Sequence, residues 1–173
     1  AASDVYKRQE LWRARRPALR EVHRRTLDLG ARLRTRADLP RYVPCHADPH
    51  LGNIVVSEDG RPVLLDFDDA VLAPAERDLM FVLGGGVLAD LPVTGRQQAW
   101  FLEGYGAYSI GPDLLTYYRG FRVLEDASEL AGVVLDPALS DRDRREALGH
   151  VEGLFSETGL LAQARSGGRG HRP

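Results

Sequence analysis

His46, Asp48, His50 and Asn53 stand within one short segment, and Asp66 and Asp68 follow across an apolar stretch. Carboxylates and an amide oxygen in that order suit phosphoryl transfer to a hydroxyl. One carboxylate, Asp48, orients the hydroxyl and takes its proton, while Asn53 and Asp66 hold Mg²⁺ against nucleotide phosphates. Mg²⁺ suits such a set because it takes few protein ligands, all oxygen, and shares its other positions with phosphate and water. The same segment admits a second chemistry, in which His46, Asp48, His50 and Asp66 ligate zinc in a metal-dependent hydrolase. Taken singly, each of these residues also reads as a turn former or cap. The combination is far harder to obtain by chance.

The elements around these residues must bring them together. Ile54 to Ser57 and Pro62 to Leu65 are apolar, β-branched runs around Asp59-Gly60, a strong hairpin signal. With a two-residue turn, Glu58 faces Arg61 and Asn53 faces Asp66, which puts their Cβ atoms ~4.5–5.5 Å apart. Upstream, Leu11, Ala14, Ala18, Val22 and Leu29 predict a helix over Glu10 to Leu29, kinked or starting late at Pro17 and stopping at Gly30. Arg32 to Arg41 reads as a connector and Tyr42 to Cys45 as a short strand. After Asp66 the chain is expected to be irregular through Pro74. Helices are expected over Glu76 to Leu83, Gln97 to Tyr108, Asp113 to Leu135 and Asp141 to Thr158, the last capped by Ser140. Gly84 to Gly86 reads as a helix C-cap and turn. The predicted class is α+β, mostly helical, with a small β-hairpin at the active site.

Composition narrows the options further. Of 173 residues, 43% are apolar and 28% charged, enough for one core, and the formal net charge of −2 argues against a dedicated nucleic-acid binder. A lone cysteine, Cys45, forms no internal disulfide. The longest apolar stretch, Leu79 to Ala89, is broken by Gly84, Gly85 and Gly86 and falls short of the ~20 residues of a membrane span. Asp4, Lys7, Arg8 and Glu10 interrupt any signal-peptide core. These features predict a cytoplasmic protein with neither nucleic-acid nor membrane partners. Ala1 leads and Met80 is the only methionine, so a processed chain or a fragment is expected. Residues 1–9 read as a non-native leader, 10–165 as a single lobe and the Gly/Arg-rich 166–173 as a disordered tail.

His46-Ala-Asp48-Pro-His50-Leu-Gly-Asn53, Leu65-Asp66-Phe-Asp68 and Glu76-Arg77-Asp78-Leu79 together resemble the aminoglycoside phosphotransferase family, which is protein-kinase-like. Leu72 to Phe81 looks like the spectinomycin phosphotransferase branch. The resemblance is close over Val43 to Phe81 and implies the C-terminal lobe of a kinase-like fold. It implies Asp48 as catalytic base, Asn53 and Asp66 as Mg²⁺ and nucleotide ligands, His46 as a brace and Asp78 as an anchor beneath the loop. It further implies a nucleoside triphosphate donor, ATP or GTP, and a small-molecule hydroxyl acceptor such as an aminoglycoside or aminocyclitol. Members of the family carry an N-terminal sheet lobe whose lysine contacts the phosphates. Lys7, the only lysine here, has no strand around it. The lobe alone is therefore expected to be inactive, and a non-catalytic binding lobe stays open as an alternative.

Other residues carry a weaker signal. His50 reads as a substrate or metal contact, or as a hydrogen-bonding brace beside Pro49. Asp68 reads as a contact to a second metal or a cationic substrate, or as a surface residue. Cys45 reads as a small core residue. Trp100, Phe101, Tyr105 and Tyr108 form a stripe expected in the core, with Leu114, Tyr117, Tyr118 and Phe121 partly so. Glu125, Asp126 and Glu129 form an acidic patch that could attract a cationic sugar or simply face solvent. His23 and His150 stand alone.

Overall fold

Helical periodicity dominates the sequence, and helices dominate the structure. A computed structural model describes residues 2–83 and 93–166, with side chains over 10–83 and 93–165. In chain order the elements are α1 (Ala2–Leu33), β1 (Val43–Cys45), a 3₁₀ turn (Leu51–Asn53), β2 (Ile54–Val56), β3 (Pro62–Leu64), β4 (Val71–Ala73) and α2 (Glu76–Leu79). They continue with α3 (Gly95–Tyr105), α4 (Pro112–Leu135), α5 (Asp141–Leu154) and α6 (Leu160–Ser166). The expectations for Gly84 to Gly86 and for 167–173 lie outside the described residues. Two compact units divide the chain, one of Ala1–Ala31 with Arg119–Gly167, the other of Arg32–Tyr118 with Gly168–Pro173.

In the first unit, α1 runs unbroken through both Pro17 and Gly30, contrary to the late start and the stop expected there. Proline removes one amide and one hydrogen bond. Val22, Thr26 and Leu29, one to two turns apart, are all buried, and a continuous buried stripe of this kind offsets that loss. Close approach in this unit depends on Gly120 of α4, where a Cβ would collide with the Thr26 side chain. Trp12 meets Phe155 edge to face at 5.2 Å. Ser140 caps α5 by accepting from the Asp143 amide at 3.2 Å, as its position predicts. That helix ends at Leu154 rather than Thr158, and a further helix, α6, buries Leu160, Leu161 and Ala164.

Among the described residues, the second unit holds two small antiparallel sheets, β1 with β4 and β2 with β3. Val71-Leu72-Ala73 was expected to be irregular, yet it pairs with Val43-Pro44-Cys45 as an apolar run placed opposite another. Ala75, Leu79, Met80, Phe81, Leu83 and Leu115 form the core of this unit, with Val43, Leu102, Tyr108, Ile110 and Tyr118 packed against it. Each large side chain buried there contributes roughly 1.5–3 kcal/mol. Trp100, Phe101 and Tyr105 are not part of that core. They are 56%, 38% and 46% exposed, and α3 buries none of its residues. Their helical stripe was read as core, but only Leu102, on another face of the same helix, packs inward. Thr94 and Gln97 close a capping box at the start of α3, two residues earlier than expected.

The hairpin register differs from the expectation by one residue. Ile54 pairs with Leu64, Val55 with Val63 and Val56 with Pro62. Glu58-Asp59-Gly60 forms a three-residue loop, with the Ser57 amide bonded to the Arg61 carbonyl at 2.9 Å and Gly60 at φ 81°. Left-handed glycine at that position is what a three-residue hairpin loop requires, whereas the sequence reading assumed two residues. Asn53 therefore stands opposite Leu65, and Asp66 lies one residue beyond the ladder. The direct cross-strand pairing of Asn53 with Asp66 does not occur.

Candidate active site

Three short segments converge in the second unit: the loop from His46 to Asn53, the residues after β3, and α2. Asp78 on α2 accepts two backbone amides, His46 N–H at 2.8 Å on Oδ2 and Ala47 N–H at 2.7 Å on Oδ1. Both amides come from a tight bend in which Ala47 takes the left-handed conformation at φ 72° while its side chain is buried. A non-glycine residue there costs ~1–2 kcal/mol. The paired bonds to Asp78 hold the bend against that cost.

His46 is buried and uses both ring nitrogens. The Asp48 amide donates to Nδ1 at 3.2 Å, so the ring proton belongs on Nε2, which donates to the Leu65 carbonyl at 2.7 Å. The ring also lies 4.6 Å from that of Phe67. Leu65 is held from both sides, since its own amide donates to the Asn53 carbonyl at 2.8 Å. Asp66 follows directly at φ 62°, a left-handed residue that turns the chain out of the strand. Asp66 and Asp68 are both exposed.

Within the loop, the Asn53 amide group donates to the Asp48 carbonyl at 2.9 Å and approaches Asp48 Oδ2 at 3.5 Å. His50 Nε2 lies 3.4 Å from the same carboxylate oxygen. His50 Nδ1 accepts the Gly52 amide at 2.9 Å, which closes the turn into the 3₁₀ segment. Gly52 permits this because a Cβ there would stand 2.5 Å from the His50 ring. The structure thus gathers His46, Asp48, His50, Asn53 and Asp78 into one hydrogen-bonded network, with Asp66 one peptide beyond Leu65. No bond ties Asp68 to that network.

This arrangement bears on which metal the residues fit. With Nδ2 committed to the Asp48 carbonyl, Asn53 keeps its Oδ1, and Asp66 adds an exposed carboxylate. Both are hard oxygen donors of the kind Mg²⁺ takes. Zinc fits poorly, because His46 has no ring nitrogen left to offer a metal. Among the described residues no group of three or more His, Cys, Asp or Glu is placed to hold one.

One feature escaped the sequence reading. Glu76 is fully buried, and it accepts from the Tyr108 hydroxyl at 2.9 Å and the Gly111 amide at 2.6 Å. It ties α2 to the connector before α4, just as Asp78 ties α2 to the loop. Its only signal was its place in the Glu76-Arg77-Asp78-Leu79 segment, between apolar neighbours on either side. Cys45 was read correctly as core: it is 3% exposed, and burial pushes its thiol up to about 11, with Asp78 adding to the shift. In the other unit, Asp126 of the acidic patch pairs with Arg122 at 2.7 Å.

A family model described as phosphotransferase enzyme family (APH) matches residues 2–122. No curated protein matches the chain. Two solved structures do. Spectinomycin phosphotransferase APH(9)-Ia in complex with ADP and spectinomycin is 29% identical with a TM-score of 0.77, covering 91% of this chain and 46% of that one. The AMP-bound complex of the same enzyme is 28% identical with a TM-score of 0.78, covering 93% and 48%. This chain therefore spans about half the length of those structures. No helix among the described residues is long and apolar enough to cross a membrane. By the extent of the family match, the chain belongs to the phosphotransferase enzyme family.

Proposed function

We propose that this chain is the catalytic-loop portion of a small-molecule kinase, which transfers the γ-phosphoryl group of ATP to a hydroxyl of an aminocyclitol or related acceptor. One observation carries the reading. The His46–Leu65 bond ties the loop bearing Asp48 and Asn53 to the residue immediately before Asp66. The ADP and AMP of the similar structures favour an adenine nucleotide, and their spectinomycin favours an aminocyclitol acceptor.

The roles follow from the chemistry of each group. Asp48 receives the acceptor hydroxyl as a hydrogen-bond donor and takes its proton as the phosphoryl group departs from the nucleotide. Contacts from His50 and Asn53 to one carboxylate oxygen fix its direction. Asn53 Oδ1 and Asp66 would hold Mg²⁺, which when bound neutralises charge on the transferring phosphate. His46 and Asp78 position these groups without touching the reactants. The exposed apolar side chains of the hairpin, Val55, Val56, Val63 and Leu65, offer a surface to a nucleotide base or to the further lobe that the family carries. By itself this chain lacks a phosphate-gripping lysine on a strand, so we expect weak nucleotide binding and no turnover.

The test is mass spectrometry of spectinomycin after incubation with ATP, MgCl₂ and this chain joined to an N-terminal nucleotide lobe. The reading expects a mass gain of one phosphoryl group that requires both lobes. Nucleotide binding without transfer to spectinomycin or other amino-sugar acceptors would favour a non-catalytic binding lobe.

A further inference from the structure

Among the described residues, Glu76 is the only buried carboxylate. Taking such a group out of water is unfavourable unless hydrogen bonds answer it, and here both oxygens are answered from the connector before α4. Oε2 accepts the Tyr108 hydroxyl at 2.9 Å and Oε1 accepts the Gly111 amide at 2.6 Å. Burial first, and the bond to Glu76 second, raise the Tyr108 hydroxyl above its ordinary range, which keeps it a donor well into alkaline solution. Gly111 leaves room for this approach, since a Cβ there would stand 3.1 Å from Oε1.

Glu76 opens α2, and Asp78 stands two residues on in the same short helix. Asp78 in turn accepts the His46 and Ala47 amides of the left-handed bend, and Asp48 is the next residue. A bend in a sparsely populated conformation persists only while its surroundings hold it, so it depends on where α2 is anchored. Given the reading of Asp48 as the base, we infer that Glu76 is a positioning residue for it. With Tyr108 and Gly111 it fixes α2, and through Asp78 it fixes where the Asp48 carboxylate stands. A small displacement of such a group lowers turnover steeply. The link survives a change of Glu76 to glutamine, whose carbonyl accepts the Gly111 amide while its NH₂ group donates to the Tyr108 oxygen. Tyr108→Phe breaks it and keeps the ring in the core.

The test is native-state amide hydrogen exchange, followed by NMR on the full chain. In Tyr108→Phe the His46 and Ala47 amides should exchange at least about tenfold faster, while the Tyr118 amide inside α4 changes by less than about threefold. Glu76→Gln alone should stay within about threefold of the parent at all three amides, and added to Tyr108→Phe it should restore nothing. In the same variants joined to a nucleotide lobe, kcat should follow the exchange, falling about tenfold in Tyr108→Phe with KM for ATP within about threefold. Unchanged exchange at His46 and Ala47 in Tyr108→Phe would overturn the proposal. Equal acceleration at Tyr118, which marks general destabilisation, a loss in Glu76→Gln as large as in Tyr108→Phe, or a loss confined to KM would overturn it as well. A parent two-lobe protein without turnover, beside the expected exchange pattern, would contradict the reading of Asp48 as the base and uphold the link from Glu76 to the bend.

Discussion

His46 and Leu65 are joined by a 2.7 Å hydrogen bond from the imidazole Nε2 to the carbonyl oxygen, across nineteen positions of sequence. Through it, the loop that presents Asp48 is fixed to the chain that presents Asp66. A His46→Phe variant keeps a ring against Phe67 but leaves the Leu65 carbonyl and the Asp48 amide without this partner. Each unsatisfied group costs ~1–3 kcal/mol, so the urea midpoint should report a loss of ~2–4 kcal/mol. A loss below about 0.5 kcal/mol would mean the bond contributes little net stability.

Asp78 accepts two amides at once, and only a carboxylate can do so without presenting a donor. Asp78→Asn retains one acceptor but turns an NH₂ group toward the second amide. We expect it to destabilise nearly as much as Asp78→Ala, by ~2–4 kcal/mol. A fully stable Asp78→Asn, measured by thermal and urea unfolding, would show that one of the two bonds is dispensable.

Ala47 sits in left-handed backbone at φ 72°. Glycine removes a penalty of ~1–2 kcal/mol and adds an entropic cost of ~0.5–1 kcal/mol. Ala47→Gly should therefore be neutral or stabilising by up to about 1 kcal/mol. A lowered denaturation midpoint would contradict the assigned strain.

The Cys45 thiol is pushed up to about 11 by burial. The folded state therefore keeps its proton where the unfolded chain has already begun to lose it. Stability from this group is present at neutral pH and is lost as pH rises from the ordinary thiol range toward about 11. Iodoacetamide at pH 8 should modify the native protein at least about a hundredfold more slowly than the urea-unfolded chain. Comparable rates would mean that Cys45 is neither buried nor perturbed in solution.

The helices and the chemical segment were legible because their signals are local. Ala14, Ala18 and Val22 repeat at helical spacing, Ser140 stands at a cap, and His46 to Asn53 is contiguous. The register was misread because Asp59-Gly60 fits either a two-residue turn or the end of a three-residue loop. A two-residue type I′ turn needs positive φ at both Asp59 and Gly60, and only Gly60 has it, so the chain takes the second, and a single residue of slip moves Asp66 off the ladder. The strand at Val71 to Ala73 was missed because three residues carry almost no periodicity, and its partner lies twenty-eight positions away at Val43 to Cys45. Trp100, Phe101 and Tyr105 show the opposite failure. A helical aromatic stripe predicts a buried face, but burial depends on a neighbour that periodicity does not reveal.

The most direct test compares Asp48→Asn with Asp66→Asn in a protein that pairs this chain with a nucleotide-gripping N-terminal lobe. Turnover and the nucleotide dissociation constant are measured for both. Loss of a positioned general base should lower kcat of Asp48→Asn by ~10²–10⁴ and leave nucleotide affinity within about twofold. Asp66→Asn should lose nucleotide affinity in the presence of Mg²⁺ as well as turnover. Near-normal kcat in Asp48→Asn would contradict its role as the base, and with it the account of how this loop works.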